Sequence, residues 1–325
     1  MKATVNTAAG VVEWKDWPTP EPGPGQVRVR TACCGICATD LEMIAGWPRT
    51  GFPVVPGHEW SGVVEALGPG VDRALLGAPC VAENVLADGS EVGFEHPGGY
   101  GEYIVTEARN VRVLPAGFDL AAAALIEPLA VCVHGLKRLS LGECRSAVVI
   151  GDGPIGLLLL PLLKAARVER VCCIGGRPSR LALARGLGAD CMVNYHEHGG
   201  DAAAAVRAAL GCAPAGVIEA SGSAKGMLTA LDCAAAQARV LIIGDYGNRQ
   251  DLVDWNTVLH KELTLAGSNA SAGAWDEAVR LAVGGAVPLA RLVTAVMPAR
   301  RCAEAVELVR TARDVVKVVI DWRMK

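Results

Sequence analysis

The sequence predicts an α/β protein of two domains, a small loop-rich β domain followed by a doubly wound parallel sheet. Three observations carry this expectation. A chain of 325 residues has room for two domains, each with its own core. Up to about residue 125, short alternating segments are broken by Gly and Pro clusters, as in Gln26-Val-Arg-Val-Arg-Thr31 and Gly62-Val-Val-Glu-Ala66. From about residue 146 to 267, short apolar runs alternate with Ala- and Leu-rich stretches, the pattern of strands buried on both faces between helices.

The runs at 147–150, 171–174, 191–193, 216–219, 240–243 and 263–266 read as the strands of the parallel sheet. The alanine runs at 121–124 and 202–205 read as helix. Beyond Ser268 the pattern gives helices at 274–283 and 301–311 and a final strand, Val315-Val-Lys-Val-Val-Ile320, expected to rejoin the first domain. The expected domains are therefore 1–128 together with 268–325, and 129–267.

Composition excludes several function classes. The 31 Lys and Arg against 34 Asp and Glu give a net charge of -3, with neither a basic footprint for nucleic acid nor an acidic tail. Mean hydropathy is high, +0.32, but is spread over short runs; the longest apolar stretch, 147–163, is broken by Asp152, glycines and prolines, so no membrane span is expected. The amino terminus has no secretory pattern, and the expected location is cytoplasmic. The 12 cysteines are scattered, with adjacent pairs Cys33/Cys34 and Cys172/Cys173, and read as small buried hydrophobes rather than a disulfide framework. Cys34-Gly-Ile-Cys37 is a C-x-x-C, but it lacks the βαβ setting of a redox pair.

Gly151-Asp-Gly-Pro-Ile-Gly156 follows an apolar strand and opens a helical stretch, the context in which G-x-G-x-x-G signals a dinucleotide site. Gly151, Gly153, Pro154, Ile155 and Gly156 would bring a pyrophosphate against the helix amino terminus, where free N–H groups and the dipole favour an anion. About twenty residues on, where an NAD site normally carries Asp or Glu, the chain has Gly175. With no carboxylate there to repel a 2′-phosphate, and with Arg177 and Arg180 following, NADP is favoured over NAD. Gly244, after the fifth strand of the sheet, belongs to the same crevice.

Cys37, His58 and Glu59, with Glu127 as a further carboxylate, form the second constellation. Thiolate, imidazole and carboxylate suit zinc, and three protein ligands leave one position open for a Lewis-acid role.

Taken together, Cys37-Ala-Thr-Asp40, Pro56-Gly-His-Glu-Trp-Ser-Gly62, Ile126-Glu-Pro-Leu129 and the glycine motif resemble the medium-chain zinc-dependent alcohol dehydrogenase family. The Ile-Glu-Pro-Leu segment is nearer the sorbitol, threonine and glucose dehydrogenase branches than the liver-type enzymes. The resemblance spans nearly the whole chain and implies a GroES-like catalytic domain, a Rossmann domain, and one catalytic zinc held by Cys37, His58 and either or both of Glu59 and Glu127. It further implies that Asp40 orients the imidazole and that Thr39 passes the substrate proton outward; a homodimer or homotetramer is the expected assembly, which the resemblance itself does not carry over. Two departures stand out. Glu42 replaces the histidine that many members use as the outer end of the proton relay, and no cysteine lies between Cys80 and Tyr103, so the structural-zinc lobe is expected to be absent.

The expected reaction is hydride transfer between a secondary alcohol and NAD(P), the alcohol being a polyol, sugar or aminocyclitol-like compound. The stretch from Phe52 to Gly62 also resembles the aminocyclitol dehydrogenases of aminoglycoside biosynthesis, and Trp47, Trp60, Phe94 and His96 are candidate pocket residues. The competing readings are a metal-free NADPH-dependent quinone or enoyl reductase of the same superfamily, which would not need the full ligand set, and a non-catalytic dinucleotide-binding protein.

Overall fold

The computed structural model describes residues 1–142, 144–198, 201–247, 250 and 252–324. In chain order the elements are β1 (Lys2–Ala8), β2 (Val11–Asp16), β3 (Gln26–Gly35), α1 (Ala38–Ala45), β4 (Glu59–Leu67), β5 (Pro79–Ala82), β6 (Tyr103–Glu107), β7 (Val111–Val113), α2 (Leu120–Ala123) and α3 (Ile126–Leu139). They continue with β8 (Ser146–Ile150), α4 (Pro154–Ala165), β9 (Arg170–Gly175), α5 (Pro178–Gly186), β10 (Cys191–Asn194), α6 (Ala202–Leu210), β11 (Gly216–Glu219) and α7 (Ala224–Cys233). The remainder are β12 (Arg239–Ile242), α8 (Trp255–His260), β13 (Thr264–Gly267), α9 (Trp275–Val283), β14 (Val293–Pro298), α10 (Cys302–Thr311) and β15 (Lys317–Asp321).

Two compact units result. The first comprises Met1–Glu127, Ala278–Val283 and Leu289–Lys325, and the second Pro128–Glu277 and Gly284–Pro288. Pro128, residues 284–288 and the stretch 268–277, all assigned to the first domain on sequence, cluster with the second unit. Within that stretch Trp275 is buried and its indole N–H donates to Ser271 Oγ at 2.9 Å, while Glu277 pairs with Lys137 at the end of α3.

In the first unit, β14-β15-β3-β4-β5-β7 form one sheet, with β6 also paired to β3. Every residue of the strand β15 is buried, and it lies antiparallel to β3, with Val319 opposite Gly35. The next pairing on the other side of β3 sets Gly35 opposite Glu59 at the start of β4. A core of Val27, Val29, Trp60, Val64, Ile104, Val318 and Ile320 packs this sheet.

The second unit is a six-stranded sheet in the order β10-β9-β8-β11-β12-β13, with every neighbouring pair parallel. That order reverses between β8 and β11, which creates a crevice at the carboxyl ends of the strands. Buried Val148, Cys172, Val217 and Val240 fill the sheet's interior against α6 and α7. Among the described residues, no helix is long and apolar enough to cross a membrane.

Candidate active site

The amino end of α1 and the turn before β4 carry the metal-type donors. Cys37 is the N-cap of α1, and its backbone N–H donates to Asp40 Oδ2 at 2.8 Å, so the first turn and the aspartate are fixed together. Gly57, at φ 102°, turns the chain sharply before His58; this left-handed backbone favours glycine, and a side chain there would press on Tyr100 and Cys34. The His58 carbonyl then accepts from Asn84 Nδ2 at 2.7 Å, and Asn84 Oδ1 accepts from the Trp60 indole at 3.0 Å. These contacts hold the His58 backbone while its ring reaches back to α1, with Nδ1 3.3 Å from Asp40 Oδ1.

Sγ of Cys37, a His58 ring nitrogen and a Glu59 carboxylate oxygen all lie within 4.8 Å of one another. The Cys37 thiol also faces Thr39, donating to Oγ1 at 3.7 Å. Burial disfavours a charged imidazole at His58, yet Asp40 and Cys37 outweigh it and drive the ring's pKa well above its ordinary value. The same anionic surroundings favour a divalent cation, and thiolate, imidazole and carboxylate within one coordination radius fit zinc.

Glu127, at the first turn of α3, is outside that close triad and is half-buried. Removal from water pushes its carboxyl up to about 7; His58 and Lys317 pull it down, and Glu59 and Glu91 oppose its ionisation. It is thus within the electrostatic reach of the triad. Glu42 lies on the exposed side of α1.

Lys317 was not singled out by the sequence, and it changes the role open to Glu59. Its ammonium group is 2.7 Å from each Glu59 carboxylate oxygen and donates to the Ile36 carbonyl at 3.2 Å, with the side chains only 3% and 1% exposed. Burial disfavours the ammonium, but Glu59 and Cys37 overcome that and raise its pKa. Gly35 makes the pair possible, because any side chain there would overlap the Glu59 carboxylate. A signal was present: Lys317 is a lone charge within the apolar run 315–320.

Among the candidate pocket residues, Phe94 packs against His58 with ring centroids 5.0 Å apart, and Trp47 meets Phe94 edge-on at 6.4 Å. Arg49 lies over Phe94 at 4.4 Å and pairs with Glu91 and Glu95. Trp60, by contrast, is a core residue, and His96 is engaged by Ser90 Oγ at 2.8 Å. Cys34 is wholly buried; burial, with Asp40 and Glu59 beside it, pushes its thiol well up, which removes the thiolate that disulfide exchange requires.

The glycine turn stands in the second unit. Gly151, at φ 124°, ends β8 against the backbone of Ala220, and Gly156 is so close to the Gly151 carbonyl that a Cβ would overlap it. Gly153 is the N-cap of α4, without a side-chain cap, and Pro154 and Ile155 form the first turn. The space beside Gly153 is open, the cradle that a pyrophosphate needs at a helix amino terminus. Gly244 packs on Gly222 and Glu219, and buried Glu219 accepts from the backbone N–H groups of Ser221 and Gly222 and from the Tyr246 hydroxyl. Gly175 ends β9, and Arg177 and Arg180 both approach Asp152.

Family models match both units: residues 23–116 fit the alcohol dehydrogenase GroES-like domain, and residues 154–284 the zinc-binding dehydrogenase domain. The chain is 30% identical to the L-threonine 3-dehydrogenase of Saccharopolyspora erythraea over the full length of both. It belongs to the zinc-dependent medium-chain alcohol dehydrogenase family. Among solved structures, this dehydrogenase resembles galactitol-1-phosphate dehydrogenase of Escherichia coli, with 28% identity, a TM-score of 0.88, and 99% of this chain and 100% of the other covered. A zinc-binding dehydrogenase of Sinorhizobium meliloti 1021 bound to NADP is 25% identical, with a TM-score of 0.92 and 98% of each chain covered. The GroES-like and doubly wound parallel architecture expected from the sequence is therefore the dehydrogenase's fold, and its activity is that of an alcohol oxidoreductase.

Proposed function

We propose that the dehydrogenase oxidises a secondary alcohol of a polyol, sugar or aminocyclitol-like compound, using NADP in preference to NAD and one catalytic zinc. The observation that carries this reading is the gathering of Cys37, His58 and Glu59 within 4.8 Å, with Asp40 fixed between the first two. When bound, zinc supplies Lewis-acid polarisation of the alcohol oxygen and the nicotinamide supplies the hydride acceptor.

Cys37 and His58 would be the metal's first two protein ligands, and Asp40 holds both by its contacts to the Cys37 amide and the His58 ring. Glu59 or Glu127, or both, would supply the remaining protein contact: Glu59 lies within 4.8 Å of the other two donors and also accepts from Lys317 through each oxygen, and Glu127 is the further carboxylate within their electrostatic reach. Thr39, within hydrogen-bond range of Cys37 Sγ, receives the substrate proton and hands it towards Glu42 on the exposed side of α1. Phe94 and Trp47 form an apolar wall beside His58 that excludes water from the reacting carbon. Gly151, Gly153, Pro154, Ile155 and Gly156 seat the pyrophosphate, with Gly175, Arg177, Arg180 and Gly244 around the remainder of the coenzyme. The unit of Met1–Glu127, Ala278–Val283 and Leu289–Lys325 acts as the catalytic domain and that of Pro128–Glu277 with Gly284–Pro288 as the dinucleotide domain, and the enzyme works in the cytoplasm as a dimer or tetramer.

The relatives support the substrate class, since they include dehydrogenases of D-arabitol phosphate, galactitol 1-phosphate and L-threonine. The test is coenzyme reduction with a panel of sugar alcohols, their phosphates and amino alcohols. Turnover abolished by a chelator and restored by zinc is expected; turnover insensitive to metal removal would overturn the reading.

A further inference from the structure

Resting on the coenzyme reading above, a further inference concerns Asp152, the second residue of the glycine motif. A cavity of about 320 Å³ at the carboxyl ends of β8 and β9 is lined by Gly151, Asp152, Gly175, Arg177, Tyr195 and Lys225, among others. Gly175 stands where an NAD site carries its ribose-binding carboxylate. A Cβ at 175 would lie 2.7 Å from Asp152 Cβ and 2.8 Å from Asp152 Oδ2. The volume left by the absent side chain is filled by a carboxylate arriving from the other strand's turn.

That carboxylate is 4% exposed and fully engaged. Its Oδ2 accepts from the backbone N–H groups of Gly176 at 3.0 Å and Arg177 at 2.9 Å. Its Oδ1 takes the Arg177 guanidinium at 2.8 Å, with Arg180 Nη1 3.9 Å away. Arg177 lines the cavity, and its side chain remains 43% exposed. The arginine available to a 2′-phosphate therefore already faces an internal anion.

We propose that Asp152 is a positioning residue that sets coenzyme specificity: it is a built-in counter-anion to Arg177 that mutes discrimination between NADP and NAD. With NAD, Arg177 stays paired to Asp152. With NADP, the guanidinium is shared between Asp152 and the 2′-phosphate, so the phosphate gains less than it would from an arginine with no other partner. The dehydrogenase accepts both coenzymes, and Asp152 keeps the margin in favour of NADP small.

The experiment uses two probes that need neither metal nor turnover, adenosine 2′,5′-bisphosphate and ADP, titrated calorimetrically into the full-length protein. Asp152→Asn keeps an oxygen for the Gly176 and Arg177 amides and removes the charge. The ratio of the bisphosphate's affinity to that of ADP is expected to rise on the order of ten-fold, the scale of one charge acting across a partly exposed site, and to lose that gain in Asp152→Asn with Arg177→Ala. A merely structural role would weaken both probes and leave the ratio where it was, and an unmoved or lowered ratio would overturn the proposal. If Asp152→Asn fails to fold, Arg177→Gln alone decides the matter. A drop in the ratio of less than about three-fold fits a charge already cancelled, and any larger drop contradicts it. A wild-type protein that binds neither probe would remove the nucleotide site itself and this proposal with it, whereas binding of both with an unmoved ratio removes only the role of Asp152.

Discussion

Lys317→Met tests whether the buried pair with Glu59 holds the first unit's site together. The methionine keeps much of the lysine's length and volume but deletes the ammonium, leaving the Glu59 carboxylate, 1% exposed, without the cation that lies 2.7 Å from each of its oxygens. Removing one partner of a buried ion pair leaves an uncompensated charge and typically costs about 3–5 kcal/mol. The Ile36 carbonyl, which accepts from the same ammonium at 3.2 Å, loses a partner as well, so the upper half of that range is expected. Replacing both partners, as Lys317→Met with Glu59→Gln, removes the stranded charge and should recover at least half of the loss. The assay is urea unfolding of chelator-treated protein, so that a released Glu59 cannot be compensated by metal. With a slope of about 2–3 kcal/mol per molar urea, the single variant should unfold about 1.3–2.5 M earlier than wild type. A shift worth under about 1 kcal/mol, or a double variant as unstable as the sum of the two singles, would show that the pair does not stabilise this unit.

Asp40→Ala removes the acceptor of the Cys37 amide and the partner of the His58 ring, and should weaken zinc binding about 10–100-fold in competition with a chromophoric chelator. Unchanged affinity would show that the two donors are positioned without it. Gly156→Ala should abolish coenzyme binding, because the new methyl overlaps the Gly151 carbonyl and forces the turn open; a normal dissociation constant by fluorescence titration would contradict the fit described for the turn. Cys34→Ser places a hydroxyl in a wholly buried thiol site and should cost about 1–3 kcal/mol in stability while zinc content by elemental analysis stays at the wild-type level. Loss of the metal together with retained stability would return Cys34 to the active chemistry.

The parallel sheet was legible because strands buried on both faces are continuous apolar runs. The stretches read at 147–150, 171–174 and 216–219 lie within β8, β9 and β11. The short β14 was not read, since its burial alternates between half-buried and exposed and it ends at Pro298. In the site, Cys37, His58 and Glu59 were found through residue type and resemblance, with His58 and Glu59 adjacent in the glycine-marked turn Pro56-Gly57-His58-Glu59. Lys317 escaped because its partner is 258 residues away, and only the antiparallel placement of β15 on β3 brings the two together. Asp152 escaped for the opposite reason. It sits inside the motif, but sequence spacing cannot say that its carboxylate turns back under Gly175 and claims Arg177.

Elemental analysis of the purified protein alongside Cys37→Ala measures whether Cys37, His58 and a carboxylate hold one catalytic zinc. About one zinc per chain, lost in the variant while the coenzyme probes still bind, is the predicted result. A wild-type protein free of zinc after purification without chelators, or a Cys37→Ala protein that keeps its full metal content, would mean that these residues do not hold the catalytic metal.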